Sequence, residues 1–255
     1  VSLKMTLTFS ESIANKTMVE LIRYPLGHDY WVNFAIAFFE DNRKFFGIMG
    51  ILYIPLIFAG QKFMQSREEL KTDLRPYLAK WNFLMAAFSA IGSILTVIPA
   101  IQFVFTRLSH PLEFVCDFWC YDQGILQILA VFTFLVSKVF EYIDTIFLVL
   151  RKRPIRFLHW YHHVITFLFT WYSTLTTQHH SCAGYHFCSM NYTVHAFMYY
   201  YYGLCAIGKR PTWDLPITII QIGQMVAGVI LIFMTMSCPT VDWTGVFFGL
   251  ALYAS

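Results

Sequence analysis

The chain has 255 residues, of which 57% are hydrophobic and only 13% charged, with a formal net charge of +3. Soluble domains carry about 25% charged residues, so the composition excludes an ordinary soluble domain and requires a bilayer. A soluble all-α core would need helices hydrophobic on every side and longer on average than 20 residues, against the usual pattern.

Residues 1–44 mix Lys, Glu, Arg and Asp among apolar residues and hold no stretch suited to a cleavable signal peptide, so the first span is expected to direct insertion. Nearly uncharged runs follow at 45–61, 81–106, 124–150, 157–178, 185–207 and 215–236, and most approach the length of about 20 residues that a spanning helix needs. A seventh run begins near Trp243 and the sequence stops at Ser255, about half a span later. The expected fold is therefore all-α, a seven-helix transmembrane bundle with a truncated seventh helix, divided into an N-terminal segment 1–44 and one transmembrane domain 45–255. No internal repeat or low-complexity tract interrupts it.

Lys and Arg set the orientation. Loops 62–80, 151–156 and 208–214 hold most of the basic residues outside the N-terminal segment, including Arg151, Lys152, Arg153, Arg156, Lys209 and Arg210, whereas the loops between spans on the other side offer only Arg107. The basic side is expected in the cytosol and residues 1–44 in the lumen, although Arg43 and Lys44 argue the other way. The glycosylation acceptor Asn15-Lys16-Thr17 agrees with this; Asn191-Tyr192-Thr193 has the same pattern but falls inside a span. Cys116, Cys120, Cys182 and Cys238 fall in or beside the oxidising side. A bridge from the 107–123 loop to Cys238, with Cys116 the favoured partner, would tie two loops together; free buried thiols are the alternative.

Polar residues recur where lipid should exclude them. Lys138, Glu141 and Asp144 lie in the third span at every third position, on one helix face, and each costs about 2.5–3.5 kcal/mol near a bilayer centre. That face needs polar partners or mutual pairing. The fourth span opens with His159, His162 and His163 at i, i+3 and i+4; in the fifth, Asn191, His195, Tyr199 and Tyr202 make a stripe; in the sixth, Thr218, Gln221 and Gln224 make another. At about 1.5 Å per residue, Glu141, His162, His195 and Gln221 lie roughly 9–20 Å from the basic loops. Antiparallel packing would bring them to overlapping levels, as one polar chamber open toward the basic side, with apolar helix beyond it for a hydrocarbon tail.

Two chemistries fit. The histidines, with two carboxylates, could hold a metal ion, as in membrane di-iron desaturases and other metal-dependent oxidases. An imidazole could instead attack a thioester, and a second His with Asn and Gln side chains could stabilise the enolate of a decarboxylating co-substrate. The basic loops would then hold coenzyme A phosphates.

At these residues the sequence resembles the very-long-chain fatty acid elongase (ELO) family: Lys-x-x-Glu-x-x-Asp-Thr at 138–145, His-x-x-His-His at 159–163, His-x-x-Met-Tyr-x-Tyr-Tyr at 195–202 and Thr-x-x-Gln-x-x-Gln at 218–224. The likeness extends from about Leu74 to Gln224, and His-Trp-Tyr-His-His with Met190-Asn191-Tyr192 looks most like members acting on saturated and monounsaturated chains. The resemblance implies a multi-pass enzyme of the endoplasmic reticulum that condenses long-chain acyl-CoA with malonyl-CoA, without a metal or other cofactor. It implies His162 as the acylated nucleophile and His195 as its partner. His159, His163, Lys138, Glu141, Asp144 and Asn191 would serve the catalytic centre, and Tyr199, Tyr202, Gln221 and Gln224 would position substrate with the six basic loop residues. The reductase and dehydratase of the elongation cycle are implied partners and a homodimer stays open; no nucleic acid is expected. The family's lysine-rich C-terminal tail is not in this sequence. A seven-helix receptor or a transporter fits less well: the third span ends in Leu150-Arg151-Lys152 rather than Asp/Glu-Arg-Tyr, and the polar spans lack the Gly/Pro breaks of transporters.

Overall fold

The computed structural model describes residues 34, 37–68, 70–106, 112–116, 124–175, 182–239 and 241–253. The sequon at 15–17, Arg107, Cys120 and most of the N-terminal segment lie outside them. The described helices are α1 (Arg43–Gln65), α2 (Arg75–Thr106), α3 (Glu113–Cys116), α4 (Ile125–Phe140), α5 (Tyr142–Leu150), α6 (Phe157–Leu175), α7 (Ala183–Ala206), α8 (Asp214–Thr235) and α9 (Trp243–Tyr253). No strand occurs among the described residues. A short helical stretch at 37–41 precedes α1.

Helices α4 and α5 form one span, interrupted at Glu141. That span, α1, α2 and α8 are long and apolar enough to cross a membrane. α6 and α7 have 19 and 24 residues, but their histidines, Asn191 and the tyrosines at 199–202 dilute their hydropathy. α9 has 11 residues. The largest shift from expectation is the start of α2, at Arg75 rather than residue 81. A hydropathy pattern drops the charged turn Arg75–Lys80, but Pro76 suits a first helical turn, where its missing N–H has no intrahelical partner to lose.

Packing closes a ring: α1 touches α5 and α6, α6 touches α9, α9 touches α8, α8 touches α7, α7 touches α2, and α2 touches α4. Large apolar side chains point outward, such as Ile51, Leu56, Ile91, Ile94, Leu215 and Phe233. In lipid such a surface is satisfied, and backbone polar groups are bonded within the helices. The chain is an all-α, multi-pass membrane protein.

The most extensive helix contact is that of α2 with α7. The ring of Tyr192 lies over Gly92, where an added Cβ would stand 2.4 Å away, and Phe83 covers Gly203 in the same way at 2.7 Å. Small residues let backbones approach where no hydrophobic effect drives helices together. Ser93 and Thr193 hydroxyls bond at 2.8 Å across the seam, and Tyr185 donates to the Thr96 carbonyl at 3.0 Å, in the turn before Pro99.

The two ends differ. At one end Cys116 is disulfide-bonded to Cys238, Cys182 N–H donates to the Val115 carbonyl, and Tyr172 donates to Asp242, which also caps α9 through Thr244 N–H. Cys182 is disulfide-bonded too. Cys188 and Cys205 are free thiols. At the other end Lys152 Nζ donates to the Arg67 carbonyl, joining the α1–α2 and α5–α6 loops.

Gly92→Ala should separate α2 from α7 and lower unfolding stability in detergent by about 1–3 kcal/mol, the usual cost of overpacking. Gly223→Ala is the control, because nothing lies within 4 Å of its added Cβ; it should raise stability by about 0.5–1 kcal/mol. Equal effects of the two would contradict the close seam.

Candidate active site

Lys138 sits midway along the α4–α5 span, 2% exposed. Its ammonium donates to Glu141 Oε1 at 2.6 Å and to Asn191 Oδ1 of α7 at 2.9 Å, and stands 4.2 Å from the centre of the Phe134 ring. Three N–H groups thus meet a carboxylate, an amide oxygen and a π face. Because Lys only donates, it fixes the orientation of the Asn191 amide, whose Nδ2 faces His195 Nε2 at 3.1 Å. An amide N–H also only donates, so Nε2 is the unprotonated nitrogen and the His195 proton is on Nδ1, 3.7 Å from Glu141 Oε1. Lys138, Asn191, His195 and Glu141 close a loop of polar contacts between two helices.

One turn on, Asp144 is held by two neutral donors. Trp81 Nε1 of α2 donates to Oδ1 at 2.7 Å, and the Tyr199 hydroxyl of α7 to Oδ2 at 2.6 Å. Asp144 also lies in the first turn of α5, where the helix dipole favours an acid. Trp81, Asp144 and Tyr199 therefore lock α2, α5 and α7 beside the polar loop.

The α6 imidazoles face this assembly. Thr145 Oγ1 bonds His159 Nε2 at 2.8 Å and the Tyr53 hydroxyl of α1 at 2.7 Å. The His159 and His163 ring centres are 4.5 Å apart; those of His162 and His163, 6.2 Å. His162 Nε2 has a long contact, 3.4 Å, with Thr166 Oγ1. His163 meets Tyr53 and Tyr142 ring to ring, both at 6.4 Å. His159 and His195 are thus firmly bonded at Nε2, whereas His162 and His163 are weakly committed. Among the described residues no group of three His, Cys, Asp or Glu side chains could hold a metal ion.

Other expected positions lie farther out. Tyr202 is 44% exposed and packs against Tyr201; at about 100° per residue it shares the Asn191–His195–Tyr199 face but lies nearer the end of α7. Gln221 touches Met198 Sδ at 3.4 Å, and Gln224 faces the Tyr253 hydroxyl on α9. Thr218 bonds back to the Asp214 carbonyl.

The basic residues cluster at helix C-termini. After α5, Lys152 takes the left-handed conformation, with φ 52°, and its N–H and that of Arg153 return to Val149 and Leu148. After α7, Gly208 (φ 85°) and Lys209 return to Cys205 and Leu204 in the same way. These are Schellman caps, and the cations beside them oppose the negative ends of the helix dipoles. Arg153, Arg156, Lys209 and Arg210 are exposed, and Arg151 and Lys152 partly so.

The sequence does not single out Tyr53 or Tyr142. Tyr53 is one tyrosine in an apolar span, no different in pattern from an interfacial aromatic residue; Tyr142 stands between motif positions. The Tyr142 hydroxyl is buried without a hydrogen-bond partner among the described residues.

Removing one member of the buried ion pair strands the other. Lys138→Met should destabilise the protein by about 3–5 kcal/mol. Lys138→Met with Glu141→Leu should cost less than either single change, read by thermal unfolding in detergent. Additive losses would contradict the pairing.

The chain matches the pattern of the ELO: GNS1/SUR4 family over residues 38–255. It is 35% identical over 219 residues to very long chain fatty acid elongase 6 of Homo sapiens, covering 85% of this chain and 80% of that protein. It is 34% identical over 242 residues to very long chain fatty acid elongase 4 of Trypanosoma cruzi (strain CL Brener), covering 89% and 81%. It is 36% identical over 197 residues to long chain fatty acid elongase 1 of Caenorhabditis elegans, covering 73% and 65%. The matched region runs from the helical stretch before α1 to the end of the sequence and takes in every residue of the polar assembly, so the protein belongs to the ELO: GNS1/SUR4 family.

Proposed function

We propose that this protein is the condensing enzyme of fatty acid elongation, a very-long-chain 3-oxoacyl-CoA synthase of the endoplasmic reticulum membrane. It would join long-chain acyl-CoA and malonyl-CoA, with one proton, to give 3-ketoacyl-CoA, carbon dioxide and free CoA. Family membership and the elongase relatives support a role in elongation. The observation that carries the chemistry is the contrast among the imidazoles: His195 is fixed by Asn191 and Glu141, while His162 on the facing helix has, among the described residues, one hydrogen-bonding contact, at 3.4 Å to Thr166.

A weakly committed imidazole is free to act as a nucleophile. His162 attacks the thioester carbon, the C–S bond breaks, and the imidazole proton leaves with the CoA thiolate. Malonyl-CoA then loses carbon dioxide, its enolate attacks the acyl-imidazole, the new C–C bond forms and the C–N bond breaks, and a proton returns to His162. His195 and Asn191 lie across from it; the second amide N–H of Asn191 would stabilise the developing oxyanions, and His195 would hold that amide in place. Lys138, Glu141 and Asp144 hold these groups in register, and His159 and His163 complete the α6 face. Tyr199 acts through Asp144, and Gln221, Gln224 and Tyr202 flank the path of the substrates.

Arg151, Arg153, Arg156, Lys209 and Arg210 would bind the CoA phosphates at the cytosolic face; Lys152 would add its charge while its amino group braces the Arg67 loop. Residues 45–255 would form the elongase unit in the membrane, with 1–44 and the disulfide-bonded end in the lumen. The reductase and dehydratase that process 3-ketoacyl-CoA are the expected partners, and no cofactor beyond the two CoA substrates is required.

Purified protein supplied with palmitoyl-CoA and malonyl-CoA labelled in its free carboxyl group should release one labelled carbon dioxide per 3-ketoacyl-CoA formed. His162→Ala and His195→Ala should each cut that rate by about 100-fold or more, the scale of acid–base and nucleophilic contributions. Decarboxylation or condensation that is insensitive to both would overturn the assignment.

A further inference from the structure

We propose that Tyr53, on α1, is a positioning residue of this site: acting through Thr145, it holds His159 in the neutral tautomer whose proton is on Nδ1. Its kinetic consequence rests on the condensation reading above; the tautomer itself rests on the hydrogen bonds alone.

The α1 helix otherwise presents apolar residues to lipid, with Ile51 73% exposed and Leu56 63% exposed. Tyr53 is 4% exposed and faces inward. Its ring stacks on Tyr142 at 4.1 Å, and its hydroxyl reaches Thr145 Oγ1 at 2.7 Å. Thr145 is fully buried, and its Oγ1 continues to His159 Nε2 at 2.8 Å.

Donor counting sets the direction of this chain. The hydroxyls of Thr96, Thr133, Thr170, Thr193, Thr218 and Thr235 each donate to a carbonyl one turn back. Thr145 does not; its two hydrogen-bond partners are Tyr53 and His159. If His159 Nε2 carried a proton, Thr145 would accept it and donate to Tyr53, leaving the buried Tyr53 proton without an acceptor. If Thr145 accepted from both neighbours, its own proton would be stranded. A buried donor left unmade is the costly outcome. Only Tyr53 O–H to Thr145, and Thr145 O–H to His159 Nε2, satisfies all three atoms.

His159 Nε2 is therefore an acceptor, and Nδ1–H is the donor of a ring whose centre lies 4.5 Å from that of His163. The Tyr142 hydroxyl, unpartnered among the described residues, does not compete for Thr145, while its ring buttresses Tyr53. Two tautomers are thereby set from two directions, His195 by Lys138 through Asn191 and His159 by Tyr53 through Thr145.

The test uses full-length protein with 15N-labelled histidine, the His159 signals being assigned by their loss in His159→Asn. Imidazole 15N shifts should report an unprotonated Nε2 and a protonated Nδ1 at His159. Tyr53→Phe keeps the ring and its stack, and should introduce the Nε2–H form and lower the condensation kcat about tenfold, the scale of outer hydrogen-bond partners on a histidine, with KM unchanged. Thr145→Ser should match the native protein, and Thr145→Val should lose no more activity when combined with Tyr53→Phe than alone. A native His159 protonated at Nε2, or shifts untouched by Tyr53→Phe and Thr145→Val, would overturn the proposal. Shifts that move as stated in a protein that condenses nothing would uphold the relay and remove the condensation reading instead.

Discussion

The pairing of Lys138 with Glu141 inside an apolar span governs this structure. Both side chains are almost fully buried, and Lys138 is bonded to Asn191 as well. Desolvating each ion costs several kcal/mol, which the pair recovers only with good geometry and further hydrogen bonds. The partners must come from other helices, so α7 must present Asn191 and His195 at that depth. Two buried charges thus act as a register pin between α4–α5 and α7.

The neighbouring contacts follow from that register. Asp144, one turn along, reaches Trp81 and Tyr199, which ties α2 to α5 and α7. The Tyr192 ring over Gly92 then closes α2 upon α7 by shape, beside the Ser93–Thr193 hydroxyl pair. The Cys116–Cys238 bond and the Tyr172–Asp242 contact fasten the far end, where the polar groups of the site are absent among the described residues. The α6 helix completes the assembly, held to α9 by the Tyr161 hydroxyl on the Ala251 carbonyl at 2.9 Å. Rigidity concentrates around His195 and His159, leaving His162 the more lightly held ring, and this division is what makes acyl transfer at His162 chemically reasonable.

Much of this was legible in the sequence because charge and imidazole are expensive in lipid. Lys138, Glu141, His162 and His195 announced themselves by their cost, and the helical period assigned Lys138, Glu141 and Asp144 to one face. Cys116 and Cys238 stood out by compartment. Tyr53 and Trp81 gave no such signal: an aromatic ring is at home in a membrane span, and only the hydroxyl or indole N–H, once aimed by packing, makes it part of a site. Tyr202 keeps the azimuth of the Asn191 stripe, as its spacing gives, but it lies farther along α7, where its side chain is exposed. The junction at Glu141 was also hidden, since nothing in 138–145 breaks a helix by propensity.

Intact-protein mass spectrometry after exposure to acyl-CoA alone tests the covalent role of His162 most directly. The native protein should gain the mass of one acyl group in place of hydrogen, and His162→Ala should gain none. A native protein that stays unmodified yet forms 3-ketoacyl-CoA once malonyl-CoA is added would contradict the acyl-imidazole and require direct attack within a ternary complex.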